Sequence, residues 1–379
     1  MNDKRPIGVD LFCGAGGMTL GFEQAGFDVI AAFDVEAWNI ATHQKNFPKT
    51  KAVALDLAKA SGKTLREHAR LGNRTIDVVF GGPPCQGFSV GGKRDLDDER
   101  NLLVYEFAKL VRELRPRYFV MENVRGLLLE PVRSVLESFL RRVKRAGYAV
   151  VEPVVPLDAA DFGVPQRRLR TFVLGYRKDL PAPSYPEPKA CVNEPGRQYK
   201  PVVRDAIADL PEVELHEELL HTDVFTGELG EGSHYSRLLR GLARDRVDRS
   251  YPRKLPKNRL TGCFRTTHSR ETRRRFAATP PGGAEPVSRY IRLDLDAVAP
   301  TIRAGTGVDH GSHTAPRPIH PTTPRCITAR EAARLHSFPD WFEFHGTRWH
   351  NFRQIGNALP PLLARAVASQ ILELLESRT

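Results

Sequence analysis

Cys85 stands in GGPPCQGFSV, residues 81–90, directly after the apolar run Ile76, Val78, Val79 and Phe80. Pro83 and Pro84 fix two φ angles, so the loop holds one shape. A thiolate at the C-terminal end of a strand overlooks the cleft of an open α/β sheet and is a strong nucleophile. Alone, a cysteine is more often an inert buried hydrophobe, so its neighbours decide. MENV, 121–124, puts Glu122 at the end of another expected strand, facing the same cleft. In GVPQRRLRTFVLGY, Arg168 and Arg170 alternate on an extended segment and project from one face. A nucleophile, a carboxyl group and two guanidiniums at strand ends form a candidate reaction centre. A fourth group is VDLFCGAGGMTLGF, where a strand ends at Phe12, Gly14, Gly16 and Gly17 follow, and a helix begins. Such a loop lets backbone approach a ligand, and the helix start offers free N–H donors. Asp34, 18 residues beyond Gly16, ends the next strand, where a carboxylate takes ribose hydroxyls. A nucleoside-containing cofactor is the reading. The dinucleotide fingerprint itself fails, because Thr19 occupies its third glycine position.

The elements that position these residues alternate from residue 7 to about 177. IGVDLF, VIAAFD, AVALDL, IDVVFGG, YFVMENV and RTFVLGY read as buried strands, with helices expected over 18–25, 36–46, 101–114 and 131–146. In the third helix Leu102, Leu103, Phe107, Leu110, Val111 and Leu114 are expected on one face, and Pro116 stops it. The fold class is α/β, a mostly parallel sheet with helices on both faces. After Arg177 a proline-rich stretch marks a boundary, and periodicity stays weak until PLLARAVASQILELLE, 361–376, returns as an amphipathic helix. Three parts are expected: 1–178, a smaller second domain over 179–347, and 348–379 rejoining the first.

Formal net charge is +12, which favours a polyanionic partner. The charge is uneven: Arg237 to Phe276 holds fourteen Lys/Arg against three Asp/Glu, whereas Glu187 to Glu231 holds eleven carboxylates against four basic residues. Phosphate contact by the basic block is expected. Five scattered cysteines with no C-x-x-C pair exclude a disulfide framework and a zinc site, and no metal is expected. No uninterrupted apolar stretch approaches the roughly 20 residues of a membrane span, and the N-terminus lacks signal-peptide zones. A monomeric cytoplasmic protein is expected.

In order along the chain, DLFCGAGG (10–17), GGPPCQGFS (81–89), MENV (121–124), FGVPQRRLR (162–170), ITAREAARLHSFPD (327–340) and RQIGNALPP (353–361) resemble the DNA methyltransferases that act on carbon 5 of cytosine. The unmatched gap, roughly 180–320, corresponds to the family's variable target-recognition domain and contains the basic block. Ala358 stands where serine is usual and His336 where glutamine is common; neither removes a catalytic group. The resemblance implies a methyltransferase fold of Rossmann-like type, S-adenosylmethionine as cofactor and double-stranded DNA as substrate. It implies that Cys85 adds to cytosine carbon 6, and that Glu122 hydrogen-bonds the ring's N3 and exocyclic amine. Arg168 and Arg170 would hold the base oxygen and a neighbouring phosphate. Phe12, Gly14, Gly16, Gly17, Asp34, Val35, Asp56, Leu57, Pro83, Leu103, Asn357 and Leu359 would surround the cofactor. Gln86 and Ser89, beside the nucleophile, and Arg237, Arg240, Arg265, Arg270, Arg273, Arg274 and Arg275, in the basic block, would contact DNA. The target base must leave the stack, and SVGGKRDLDDER after Cys85 would close over it. The expectation is a member of a restriction-modification system with a cognate restriction endonuclease, or else a solitary methylase. The alternatives are a transfer-RNA cytosine-5 methyltransferase of the same fold, an inactive DNA-binding homologue and a nicotinamide-dependent oxidoreductase. The long basic insertion opposes the first, intact Cys85 and Glu122 the second, and Thr19 with Pro-Pro-Cys the third.

Overall fold

The computed structural model describes residues 5–84, 102–188, 191–194, 197–253, 258–305 and 316–377. Strands β1 (Ile7–Leu11), β2 (Asp28–Asp34), β3 (Lys51–Ala54), β4 (Val78–Gly81), β5 (Tyr118–Val124), β6 (Tyr148–Val150), β7 (Val155–Asp158) and β8 (Leu169–Arg177) form one sheet. The first five run parallel in the order β3-β2-β1-β4-β5. Antiparallel β8 follows, with β6 and β7 both paired to it. Parallel order brings the C-terminal ends of β1, β2, β4 and β5 to one edge, where ligands bind in such sheets.

Helices α1 (Gly17–Ala25), α2 (Ala37–Asn46), α3 (Gly62–His68), α4 (Leu102–Leu114) and α5 (Arg133–Arg145) alternate with the strands. Strand side chains divide by parity. Val79, Phe119, Met121 and Val173 pack with α3, α4 and α5, while Val78, Phe80, Tyr118, Val120 and Phe172 pack with α1. The buried face of α4 is turned from the expected one: Val104 and Ala108 are inside, and Leu102 is exposed. After β8 come hairpin β9 (Cys191–Glu194) and β10 (Arg197–Tyr199), then α6 (Val203–Ile207) and α7 (His234–Leu239). The two-residue pairing of β11 (Phe225–Thr226) with β12 (Arg259–Leu260), then α8 (Arg270–Ala278), α9 (Ala329–Leu335), α10 (Arg348–Asn357) and α11 (Pro361–Glu376) complete the regular structure. Leu363, Val367 and Ile371 of α11 join Phe22 of α1 and Phe80 of β4 in one core. The helical stretch Arg348–Glu376 is long and apolar enough to cross a membrane by composition. It is broken, however, by extended backbone at Ala358, and α11 lays its apolar side on that core.

Between residues 200 and 345 the regular elements are short, and buried arginines supply the ties. Arg334 of α9 meets Asp209 at 2.5 Å and Asp340 at 2.7 Å. Arg330 donates to Thr261, Pro339 and Phe342. Arg325 joins Glu212 at 2.9 Å to Glu331 at 2.8 Å. Thr328 and Glu331 cap α9 reciprocally, the T-x-x-E signature.

Glu331 is buried, which opposes its ionisation, yet Arg325, His320 and the Thr328 N–H outweigh burial and hold its carboxyl at about 2. A carboxyl lowered on folding adds stability that is complete above its unfolded value and is lost as pH falls toward the folded one. Glu331→Gln should cost about 3 kcal/mol near neutral pH. In urea unfolding, its difference from the parent protein should shrink as pH falls from roughly 4.5 to 2. A difference that ignores pH would show that the ion pair is not its source.

Candidate active site

Glu122 lies near the end of β5, and antiparallel β8 delivers Arg170 opposite Val124. The offset lets the Arg170 Nε meet Glu122 Oε1 at 2.8 Å, with both side chains about one-eighth exposed (13% and 12%). Gly82 makes room for this pair, because a Cβ there would sit 2.6 Å from Glu122 Oε2. Asn123 donates to the Pro83 carbonyl at 3.3 Å, tying the approach to Cys85 onto β5. Burial pushes the Glu122 carboxyl above its ordinary value; Arg170 first, then Arg168, pull it back. Cys85, Gln86, Ser89 and the segment 90–100 lie outside the described residues.

Arg168 does not join this pair. Its guanidinium is fully buried and donates to the carbonyls of Ile302 at 3.1 Å, Gly356 at 2.6 Å and Ala358 at 2.9 Å. The two arginines expected on one face of the reaction centre are therefore split. Alternation along the strand fixed their parity, but three carbonyls from residues 302–358 claimed the buried charge of Arg168.

Around the glycine loop, Asp34 Oδ2 accepts from the Gly14 N–H at 2.9 Å, and Oδ1 accepts from Glu36 N–H at 2.9 Å and Asn39 Nδ2 at 3.1 Å. Three of roughly four carboxylate lone-pair sites are thus used, and one remains. Burial raises the Asp34 carboxyl against these donors. Val35 beside it is 65% exposed, and a side chain at Gly14 would begin in open space, with nothing within 4 Å. Phe12, at positive φ, is partly buried against the core. Asp56 is partly exposed and Leu103 half-buried, whereas the Leu57 and Leu359 side chains point into the core. Asn357 is exposed at the end of α10.

Sequence reasoning treated Thr19 only as a departure from a fingerprint. It donates to Asp10 Oδ2 at 2.6 Å and lies 3.0 Å from His43 Nε2. Burial lowers His43 to about 3, so the ring is neutral, and because the Thr19 hydroxyl hydrogen goes to Asp10, His43 Nε2–H donates to Thr19. A glycine at 19 would delete this tie between β1, α1 and α2.

The basic block separates into two sets. Arg240 meets Asp209 at 3.1 Å, Arg273 grips Glu214, and Arg275 bridges Glu271 at 2.8 Å and Glu285 at 3.0 Å. These three, expected to contact DNA, are turned to carboxylates, two of which (Asp209 and Glu214) come from the acidic stretch before the block. Arg237, Arg265, Arg270 and Arg274 make no ion pair among the described residues, and Arg237, Arg270 and Arg274 are exposed.

Residues 8–373 match the family described as C-5 cytosine-specific DNA methylase. The chain is 50% identical to Type II methyltransferase M.XorII of Xanthomonas oryzae pv. oryzae over 99% of its own length and 86% of that protein's. It is 34% identical to Type II methyltransferase M.AgeI of Thalassovita gelatinovora, covering 96% and 98% respectively. A solved prophage-encoded DNA modification methyltransferase from E. coli superposes with TM-score 0.79 at 33% identity, covering 98% of this chain and 99% of that one. The S. pombe Dnmt2 methyltransferase, at 18% identity and TM-score 0.57, covering 99% of this chain and all of that one, shares the fold.

Arg170→Met removes the charge beside Glu122 and leaves burial unopposed at close range. The Glu122 carboxyl should then titrate at higher pH than in the parent protein, followed by 13C NMR with Glu122→Gln identifying the resonance. No rise would show that Arg170 does not hold this carboxyl.

Proposed function

The chain belongs to the C-5 cytosine-specific DNA methylases, and on that premise we propose how its own residues carry the reaction. The protein methylates carbon 5 of cytosine in DNA. One observation carries the residue assignment: Glu122 and Arg170 form a buried pair over Gly82, three residues before Cys85.

Cytosine carbon 5 becomes nucleophilic only after addition at carbon 6. The Cys85 thiolate forms that bond, on a base turned out of the duplex into the cleft. Glu122, its carboxyl raised by burial, shares a hydrogen with ring N3 and accepts from the exocyclic amine as negative charge moves into the ring. Arg170 holds Glu122 in place and offers its remaining N–H groups to the base oxygen. S-adenosylmethionine, when bound, supplies an electrophilic methyl group. Loss of the carbon-5 proton and departure of the Cys85 sulfur then restore the aromatic ring. For the cofactor, the remaining acceptor site of Asp34 suits a ribose hydroxyl, Val35 and Phe12 suit the faces of an adenine, and Asp56 suits its amine. Gly14, Gly16 and Gly17 let it approach the α1 N-terminus, and Leu103 with Asn357 closes the site. The substrate is one duplex sequence, the enzyme acts as a cytoplasmic monomer, and a restriction endonuclease of the same specificity is its partner. The Type II names of its relatives support that last reading.

Fluorine at cytosine carbon 5 cannot leave as a cation, so a covalent enzyme is caught after methyl transfer. Duplex DNA with fluorocytosine in the recognition site should give a denaturation-resistant complex that requires S-adenosylmethionine. Cys85→Ala should give none. Trapping on transfer RNA and not on DNA would overturn the substrate, and no adduct at a site otherwise methylated would overturn the mechanism.

Arg270 and Arg274 lie one turn apart on the exposed side of α8. If each meets one phosphate, replacing both with glutamine should reduce the salt slope of DNA binding by about 1.8. Arg273→Gln should leave the slope alone and lower stability, because Glu214 loses its partner. Fluorescence anisotropy at several salt concentrations reads the slopes; an unchanged slope in the double variant would remove α8 from the interface.

A further inference from the structure

The turn Gly356-Asn357-Ala358-Leu359 is held on three sides. Its Leu359 carbonyl lies against the glycine loop, where a Cβ on Gly17 would come within 2.3 Å of that oxygen. Two buried side chains reach its other carbonyls. Arg168 donates to Gly356 and Ala358, as described above, and His336 Nε2 lies 2.9 Å from the Ala358 oxygen.

The His336 tautomer follows from its neighbours. The Ile302 N–H is 3.1 Å from Gln166 Oε1, so that oxygen accepts and Gln166 Nε2 faces His336 Nδ1 at 3.0 Å as a donor. Nδ1 therefore accepts, and Nε2 carries the hydrogen that goes to Ala358. The ring is neutral, fully buried and committed on both sides. Asn357 is what this clamp leaves free, an exposed side chain between two fastened carbonyls and one residue from the one touching the glycine loop.

We propose that His336 and Arg168 are positioning residues for S-adenosylmethionine, aiming Asn357 by fixing the carbonyls on either side of it. This rests on the reading above that Asn357 lines the cofactor site. It gives Arg168 a task on the cofactor side, while Arg170, two residues along the same strand, works on the base side. It also makes His336 a functional equivalent of glutamine, since a glutamine amide at 336 can donate to Ala358 and accept from Gln166 in the same way.

The test is isothermal titration with S-adenosylhomocysteine, a non-reactive probe, on full-length His336→Leu, His336→Gln, Asn357→Ala and the double variant His336→Leu/Asn357→Ala. Losing one buried donor should weaken probe binding about three- to tenfold in His336→Leu. His336→Gln should restore the parent affinity. In the Asn357→Ala background, His336→Leu should add little, because the side chain it aims is gone. DNA affinity should stay at the parent value throughout, which a merely structural loss would not allow. His336→Met probes the same donor should the leucine variant not fold. Parent-like probe binding in His336→Leu, or fully additive losses in the double variant, would overturn the positioning role and leave Asn357 as a cofactor residue. Parent-like binding in Asn357→Ala would overturn both.

Discussion

A guanidinium keeps its charge at any pH the protein meets, so it is buried only where enough acceptors converge on it. Arg168, Arg325, Arg330 and Arg334 are all buried in this way. Their acceptors come from points far apart in the sequence: residues 206–212, 261, 302, 340 and 356–358. The half of the chain with few regular elements takes its shape from this demand. Three of the four sit on or beside α9, whose reciprocal cap includes the carboxylate that Arg325 needs. Because removing any one acceptor leaves a buried charge behind, these ties are all-or-none in a way that apolar contacts are not.

The same demand divides the labour of one strand. At the entry to β8, Gln166 and Arg168 face inward to the insertion and the C-terminal turn, while Arg170 faces Glu122. The Glu122–Arg170 pair and the turn at 356–358 are therefore set by residues four apart on a single extended segment. Strand rigidity, rather than a separate hinge, fixes the distance between that pair and that turn.

The main strands and helices of the first half were legible from their alternation and 3.6-residue stripes, although the stripe of α4 did not settle which side is buried. The short edge strands β6 and β7 and helix α3 were missed, since three to seven residues carry too little periodicity. Glu122 was legible from its place at a strand end. The fate of Arg168 was not, because the carbonyls that claim it come from residues 302–358 and no local pattern announces them. The basic block read as one surface for the same reason. Its pairing with Glu214 and Asp209 is decided by tertiary placement, and a composition count cannot separate paired arginines from free ones. Thr19 carried a signal that was read only negatively; a hydroxyl in the first turn of the helix that follows the Asp10 strand asks for a hydrogen-bond partner.

Helix α1 and helix α11 share one apolar core over the sheet, although some 340 residues of chain separate them. Phe22, Phe27 and Phe80 therefore stay uncovered while the polypeptide is being synthesised, until Leu363, Val367 and Ile371 have emerged from the ribosome. The glycine loop rests on the backbone just ahead of that helix, so it too waits for residues beyond 358. A partly translated chain has the strands but not the seated loop. Each molecule thus seats its glycine loop only after α11 has been made, and a ribosome that stalls before residue 360 leaves behind a protein with an exposed aromatic face and an unsupported loop.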